Sequence, residues 1–124
     1  LVLFWKERGE IMNDQIAKQD DGKIRPSLMP TNSWRAYCAI RDYGCKKYPL
    51  GGTENWRKVE PIRFLDALLR HAMAVIDDPN SVDPESGMKH SWHMMTNALF
   101  FVELTYYDAT GEEDDSQGIS ERSE

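Results

Sequence analysis

The feature that most constrains the fold is a pair of segments with helical apolar spacing in the second half of the chain. The first begins near Pro61, which suits the first turn of a helix, and its stripe comprises Ile62, Leu65, Leu69, Ala72, Met73 and Ile76. Such spacing by three and four residues is typical of an amphipathic helix. The second begins near Ser86 and runs to about Tyr107, with apolar residues almost all round, which indicates a central or heavily covered helix.

An earlier helix is predicted after Pro30, ending at Gly44, with Thr31, Asn32 or Ser33 as its N-cap. No strand-like alternation competes with these helical periods, and no internal repeat is found in the sequence. A chain of 124 residues suits one domain with a modest core. We therefore predict an all-α fold, a small helical bundle with a central helical hairpin.

The ends of the chain differ in composition from its middle. Residues 13–30 are polar and contain turn formers, which predicts an irregular N-terminal arm. We interpret residues 1–17 as an extension, with Met12 as an alternative translation start, and residues 18–108 as the folded domain. Residues 109–124 are acidic and poor in large apolar groups, so we expect a disordered tail.

Charge and cysteine content argue against several classes of protein. The formal net charge of −6 would repel the phosphates of a long nucleic acid, which disfavours a nucleic-acid polymer as partner. No apolar run approaches the roughly 20 residues that span a bilayer, so we expect no membrane partner. Cys38 and Cys45 fit neither a disulfide framework nor a close-pair zinc site, which indicates reduced thiols in a cytoplasmic protein.

Chemically versatile side chains concentrate between residues 66 and 97. That stretch holds all the histidines, His71, His90 and His93, together with Asp66, Arg70, Asp83, Glu85 and Asn97. His90, His93 and Asn97 are spaced by three and four residues, so they project from one side of a helix. If the two helices pack as an antiparallel hairpin, these groups converge beside the acidic loop between them.

Such a cluster could bind a divalent cation and activate water. The candidate metal ligands are Asp83, Glu85, His90 and His93, and the candidate catalytic groups are Asp66, His71 and Glu85. Carboxylates suit Mg²⁺ or Mn²⁺, whereas imidazoles also suit Zn²⁺ or Fe²⁺, so the mixture leaves the metal open. An imidazole titrates near neutrality, which suits an acid–base role for His71.

Structural roles are an alternative for the same residues. Asp66 and Arg70 could form an ordinary salt bridge one helical turn apart, and His71 could pack beside the apolar stripe. Two histidines at helical spacing on the third helix are a weak motif by themselves. The segment 83–87 could merely cap the third helix through Asp83 or Ser86.

A second group combines cations with aromatic rings near turns. Lys47 and Tyr48 precede a turn-rich segment, and Asn55 and Trp56 follow it. Cations of this kind can bind phosphates, and the rings can stack on a base. Alternatively, the rings cover the core while the lysines stay solvated. Lys23, in a charged turn, is a weaker phosphate-binding candidate.

Taken in order, these residues resemble a phage-borne family, the N-terminal domain of dATP/dGTP diphosphohydrolase, over about residues 18–105. The resemblance is carried by Asp21-Gly22-Lys23, Arg25, Leu28, Pro30, Tyr43-Gly44, Lys47-Tyr48, Asn55-Trp56-Arg57, Leu68-Leu69-Arg70-His71, Asp83-Pro84-Glu85-Ser86-Gly87, His90, His93 and Asn97. It implies metal-dependent hydrolysis of a purine deoxynucleoside triphosphate to the monophosphate and pyrophosphate.

Similar MazG-like pyrophosphohydrolases are all-helical and usually oligomeric, so the resemblance also implies a homo-oligomer. In that group glutamates and aspartates on two helices hold the metal, whereas here Asp66 stands almost alone on the second helix. Histidines could compensate for the missing carboxylates. In this hypothesis Arg70, Lys47 and Lys23 bind phosphates, and Trp56 or Tyr48 faces the base.

Two alternative functions remain open at the level of sequence. The first is a nucleotide-binding module without turnover in an infected bacterium. The second is a small protein that inhibits a host defence protein through an acidic surface, with a purely structural histidine cluster.

Overall fold

The computed structural model describes residues 17–107 and confirms the all-α prediction. Its helices are α1 (Thr31–Lys47), α2 (Pro61–Asp77) and α3 (His90–Leu104), with short 3-10 turns at Pro26–Leu28 and Asn55–Lys58. Within this range the only β pairing is an isolated bridge between Val82 and Lys89. No helix in the described part of the chain is both long and apolar enough to cross a membrane.

The predictions for both termini concern residues outside the described range. They are the extension at 1–17, apart from residue 17 itself, the alternative start at Met12 and the acidic tail at 109–124. These stay predictions.

Helices α2 and α3 form the predicted hairpin. The rings of Phe64 and Phe100 lie 4.9 Å apart, and one end of the pair brings His71 within 4.7 Å of His93, between ring centroids. Residue numbers therefore rise along one helix as they fall along the other, so the helices are antiparallel. The short connection between them, residues 78–89, closes the hairpin.

Helix α1 packs against α3 in the same antiparallel sense. The Tyr37 ring lies 6.5 Å from Phe100, and two turns later the Tyr43 ring lies 6.0 Å from His93, both edge to face. Helix α3 therefore occupies the centre of the bundle, as the sequence predicts.

The interior of the bundle is small and partly polar. In the described part of the chain, Ala36 and Ile40 of α1 are the buried apolar residues, and His93 and Thr96 of α3 are the buried polar ones. The Thr96 hydroxyl donates to the Trp92 carbonyl at 3.0 Å, so its burial leaves no unpaired donor.

The predicted end of α1 is wrong. The helix continues through Gly44 to Lys47, and the Tyr48 N–H donates to the Gly44 carbonyl at 2.9 Å. A glycine ends a helix when it takes a positive φ, and Gly44 does not.

The predicted N-cap of α1 is also wrong. Pro30 holds the cap position and provides no side-chain hydrogen bond, while Thr31 is already the first helical residue. The Arg35 guanidinium donates instead to the side chains of Thr31 and Asn32, which leaves these groups on the helix surface.

Helix α3 begins at His90 rather than near Ser86, and its cap residue, Lys89, makes no side-chain cap bond. The preceding residues form a turn in which the Gly87 N–H donates to the Asp83 carbonyl at 2.8 Å. Gly87 has φ 76°, which favours glycine. The suggestion that Asp83 or Ser86 caps α3 is therefore wrong, because both belong to this turn.

Candidate functional site

Three histidines meet where α2 and α3 join, and we call them the histidine cluster: His71, His90 and His93. The Nδ1 atoms of His71 and His90 lie 2.8 Å apart, so in the neutral pair one ring donates a hydrogen bond to the other. The His71 ring stacks on His93 with an interplanar angle of 12°. The hairpin thus brings together the side chains that the sequence predicts to converge.

The turn before α3 holds His93 in place. The Ser86 hydroxyl forms a hydrogen bond with His93 Nε2 at 2.6 Å, and its oxygen also accepts the Met88 N–H at 3.1 Å. Asp83 Oδ2 lies 3.6 Å from the same nitrogen and accepts the Ser86 N–H at 3.0 Å. Each polar group of this buried corner therefore has a partner.

An ion pair links α1 to the same turn. Lys47, the last residue of α1, pairs its ammonium with the Glu85 carboxylate. The Lys47 nitrogen also lies 5.2 Å from the centre of the Tyr48 ring, whose side chain is exposed. The cluster is therefore bordered by a cation, a carboxylate and an accessible aromatic ring.

Two rings of the cluster, His71 and His93, are uncharged near pH 7. Burial lowers the pKa of His71 to about 4, and the neighbouring His93 and His90 lower it further because they would repel a second positive charge. Burial also lowers the pKa of His93, although the Asp83 carboxylate opposes the shift. Both rings are therefore uncharged at pH 7, and each has one unprotonated nitrogen.

The two carboxylates and the ammonium group around the cluster stay ionised, whereas the Tyr43 hydroxyl stays neutral. Burial raises the pKa of Asp83, but hydrogen bonds from Ser86 and the nearby His93 outweigh it, so the net shift is downward. The hydrogen bond from Lys47 lowers the pKa of Glu85 and raises that of Lys47 itself. Burial raises the pKa of the Tyr43 hydroxyl, which keeps it protonated.

Other predicted site residues lie apart from the cluster. Asp66 and Arg70 are exposed on α2, and within residues 17–107 no salt bridge joins them, so the structural alternative for this pair is wrong. The Asn97 amide donates to the His93 carbonyl of its own helix at 2.8 Å. Lys23 is exposed in the N-terminal arm.

The cations and aromatic rings that the sequence groups together lie in two separate places: Lys47 and Tyr48 lie beside the cluster, and Asn55 and Trp56 lie elsewhere. Asn55 and Trp56 lie in the second 3-10 turn, where the Trp56 ring stacks on Phe100 at 4.5 Å and the Arg57 guanidinium lies 4.4 Å from its centre. The Trp56 Nε1 is buried and finds no acceptor in the described part of the chain. Stacking of Trp56 on a base would require Phe100 or Arg57 to move, whereas the ring of Tyr48 is open.

Sequence reasoning missed the partners that position these groups. Arg41 lies 5.6 to 5.9 Å from the ring centres of Tyr37, Trp56 and Phe100, beside an open cavity of about 690 Å³. The spacing of four between Tyr37 and Arg41 is a usable signal for their hydrogen bond, at 3.1 Å. The Tyr43 ring contacts His93 of the cluster, and because these residues lie far apart in the chain, no local sequence pattern predicts the contact.

The four predicted metal ligands do not form a shared site in this structure. Among residues 17–107, no group of three or more His, Cys, Asp or Glu side chains is arranged to hold a metal ion. Glu85 is paired with Lys47, and the Nε2 of His93 is occupied by Ser86. Metal binding by Asp83, Glu85, His90 and His93 therefore stays a prediction.

Comparisons with known proteins identify relatives of the domain. The family model for the dATP/dGTP diphosphohydrolase N-terminal domain matches residues 13–116. A dATP/dGTP diphosphohydrolase of Salmonella phage PMBT28 is 30% identical over 87 residues, which cover 70% of this chain but 29% of the relative. No solved structure matches. Since the family model covers most of its length, the chain belongs to the dATP/dGTP diphosphohydrolase N-terminal domain family.

Proposed function

We propose that this domain binds a purine deoxynucleoside triphosphate beside the histidine cluster and takes part in its hydrolysis to monophosphate and pyrophosphate. The observation that carries the proposal is the meeting of neutral imidazoles from α2 and α3 with Lys47 of α1. Family membership and the name of the phage relative support a nucleotide substrate. Because this chain spans less than a third of that relative, the activity itself is part of the proposal.

The linked pair His71 and His90 is suited to general base catalysis. Water would attack the α-phosphorus, forming a new P–O bond while the bond from that phosphorus to the bridging oxygen breaks and pyrophosphate leaves. The proton of the water passes to a ring nitrogen of His90, which is partly accessible, because the lowered pKa of His71 makes His71 a weak base. His93, held by Ser86, positions the stacked ring of His71.

Lys47 and Tyr48 would bind the substrate. A phosphate can replace Glu85 on the Lys47 ammonium, because both partners of this ion pair are accessible enough to exchange. The Tyr48 ring is 57% exposed and lies beside Lys47, so a purine base can stack on it. Arg70, next to His71, and Lys23, in the arm, are exposed cations available to the outer phosphates.

Product chromatography across the four deoxynucleoside triphosphates tests the proposal. We expect wild-type protein to release pyrophosphate from a purine substrate, and His90→Ala and Lys47→Ala to lose this activity. The matched control is Lys46→Ala, since Lys46 is a neighbouring exposed cation that pairs with Asp42 instead. Assays with Mg²⁺, Mn²⁺, Zn²⁺, Fe²⁺ or a chelator test the predicted metal dependence. Folded wild-type protein that releases no pyrophosphate under any of these conditions would contradict hydrolysis.

Nucleotide binding without turnover is the second candidate. It is favoured because both carboxylates beside the cluster already have partners: Glu85 pairs with Lys47, and Asp83 accepts a hydrogen bond from Ser86. In that case purine nucleotides would raise the melting temperature of the domain, and no product would form.

A further inference from the structure

The open cavity of about 690 Å³ beside Arg41 lies between α1, α3, the second 3-10 turn and the N-terminal arm. Its volume falls in the range of small-molecule sites. The described residues that line it include no member of the histidine cluster, nor Lys47 or Tyr48. Phe100 in its wall follows His93 by seven residues, so the cavity lies about 10 Å along α3 from the cluster. The cavity is therefore separate from the site described above.

Four aromatic rings line the cavity, those of Trp34, Tyr37, Trp56 and Phe100. Three of them are fixed by contacts with one another, since Trp56 stacks on Phe100 and Tyr37 meets Phe100 edge to face. The Trp34 side chain is 57% exposed. An accessible indole in a cavity can stack on a planar ring. These walls therefore favour a planar aromatic ligand, held against Trp34.

A carboxylate lies at the same level as Trp34. Helices α1 and α3 are antiparallel and meet at Tyr37 and Phe100, so Trp34 and Glu103, each three residues from this contact, lie in the same direction from it. Within residues 17–107 the exposed Glu103 forms no salt bridge.

The carboxylate of Glu103 selects the edge of such a ring, because an ionised carboxylate can only accept hydrogen bonds. A ring stacked on Trp34 must therefore present donors to Glu103. Guanine presents two adjacent donors, N1–H and its amino group, whereas adenine presents one donor beside an acceptor. The pair of Trp34 and Glu103 therefore favours guanine over adenine.

Two guanidinium groups in the wall offer a place for one phosphate. The Arg57 Nε donates to Glu54 at 2.8 Å, and Arg41 lies 3.4 Å from the same carboxylate. In the described part of the chain, the other two side-chain nitrogens of Arg57 donate to no acceptor. Glu54 is exposed, so a phosphate can take its place between the two arginines.

The charge of the cavity favours a monophosphate. Its lining residues carry two positive charges, on Arg41 and Arg57, and two negative ones, on Glu54 and Glu103. No positive charge is left over for the further phosphates of a triphosphate.

We propose that this cavity is a second ligand site, which binds a guanine nucleoside monophosphate apart from the histidine cluster. The guanine ring stacks on Trp34 and donates from N1–H and its amino group to Glu103. The phosphate binds Arg57 and Arg41 in place of Glu54. Because the cavity and the cluster share no residue, this proposal does not rest on the proposed function, and either can fail without the other.

Tryptophan fluorescence of the whole chain tests the site, since Trp34 and Trp56 both line it. We expect dGMP to quench the emission of the wild-type protein, and dAMP, guanosine and inorganic phosphate to bind at least about tenfold more weakly. In calorimetric titrations, Trp34→Ala and Glu103→Gln should each weaken dGMP binding by about tenfold or more. Both residues are exposed, so the circular dichroism spectra of these variants should match that of wild type.

Glu60→Gln is the matched control, since Glu60 is an exposed carboxylate outside the cavity and its loss should leave dGMP binding unchanged. His90→Ala should also retain dGMP binding. Equal binding of dGMP and dAMP, or wild-type binding by Glu103→Gln, would overturn the recognition of guanine. Folded wild-type protein that binds no dGMP, or binding that is lost in His90→Ala and kept in Trp34→Ala, would overturn the site itself.

Discussion

The two sides of α2 differ in their content of polar and apolar side chains. The side facing the bundle is mostly apolar but includes His71, which joins two other imidazoles, whereas the side facing solvent mixes charged residues with Leu69 and Ile76. Surface helices normally bury the apolar side and expose the polar one. Helix α2 departs from this pattern at two places, since it brings the imidazole of His71 to the packed side and leaves large apolar side chains among the charged ones outside.

The inner side is stable because its polar groups are paired. A buried polar group costs free energy only when it loses its partner, and here Ser86 satisfies His93 while Trp92 satisfies Thr96. The outer side has no comparable set of contacts in the described part of the chain. Substitutions should therefore separate the two sides, with large losses of stability on the inside and small ones on the outside.

The largest expected effect is that of His93→Ala on the inner side. The change removes a buried ring that stacks on His71, and it leaves the Ser86 hydroxyl without this hydrogen-bond partner. We expect a loss of roughly 2–4 kcal/mol in the free energy of unfolding, measured by urea denaturation. A loss as small as that of an exposed substitution would mean that the cluster is not part of the packed interior.

The second-largest effect is expected from a fall in pH, which should lower the free energy of unfolding through His71. Burial and the facing His90 and His93 lower the pKa of His71 from 6.5 to about 4, and Asp83 opposes this only in part. Between these two values the unfolded chain binds a proton that the folded protein does not, so stability falls as pH decreases through this window. We expect a loss of about 1–2 kcal/mol after allowance for partial exposure.

Urea denaturation at a series of pH values measures this effect, and His71→Gln should flatten the dependence. Stability that is constant from pH 6.5 to pH 4 would contradict a neutral His71 in the folded state.

Gly87→Ala should have a smaller effect on the turn that holds His93. No atom lies within 4 Å of the added Cβ, so the cost comes from φ 76° alone and should be about 1 kcal/mol. Gly44→Ala is the matched control, since Gly44 lies in the last turn of α1 with a negative φ and equal space around it, and the change should stabilise the protein by about 0.5–1 kcal/mol. Thermal unfolding of both variants should give melting temperatures that shift in opposite directions.

The smallest effect on the folding of one subunit is expected on the outer side. Ile76 is 80% exposed, so Ile76→Gln should change the stability of a single subunit by less than about 0.5 kcal/mol. Urea denaturation of Ile76→Gln beside wild type measures this change. A large loss of stability would show that Ile76 packs within the bundle.

The sequence predicts the helical hairpin well, because its signals are local. Pro61 marks the start of α2, the apolar period continues to its end at Asp77, and a short connection makes the neighbouring helix antiparallel. The convergence of His71 with His90 and His93 follows from that hairpin and is confirmed.

The remaining features depend on contacts between distant segments. Gly44 lies within α1 and has a negative φ, and the presence of a glycine at this position does not by itself predict whether the helix ends there. The apolar period of α2 does not show that Leu69 and Ile76 lie outside while the histidine side lies inside. The pairing of Lys47 with Glu85 joins segments far apart in the chain, so no local pattern predicts it.

Calorimetric titration with dGTP and dATP tests the division between the two sides of α2 most directly. We predict that the Leu69→Glu protein binds a purine nucleotide as tightly as wild type, while His90→Ala binds it at least about tenfold more weakly. Equal binding by His90→Ala and wild type, or loss of binding in a folded Leu69→Glu protein, would contradict it.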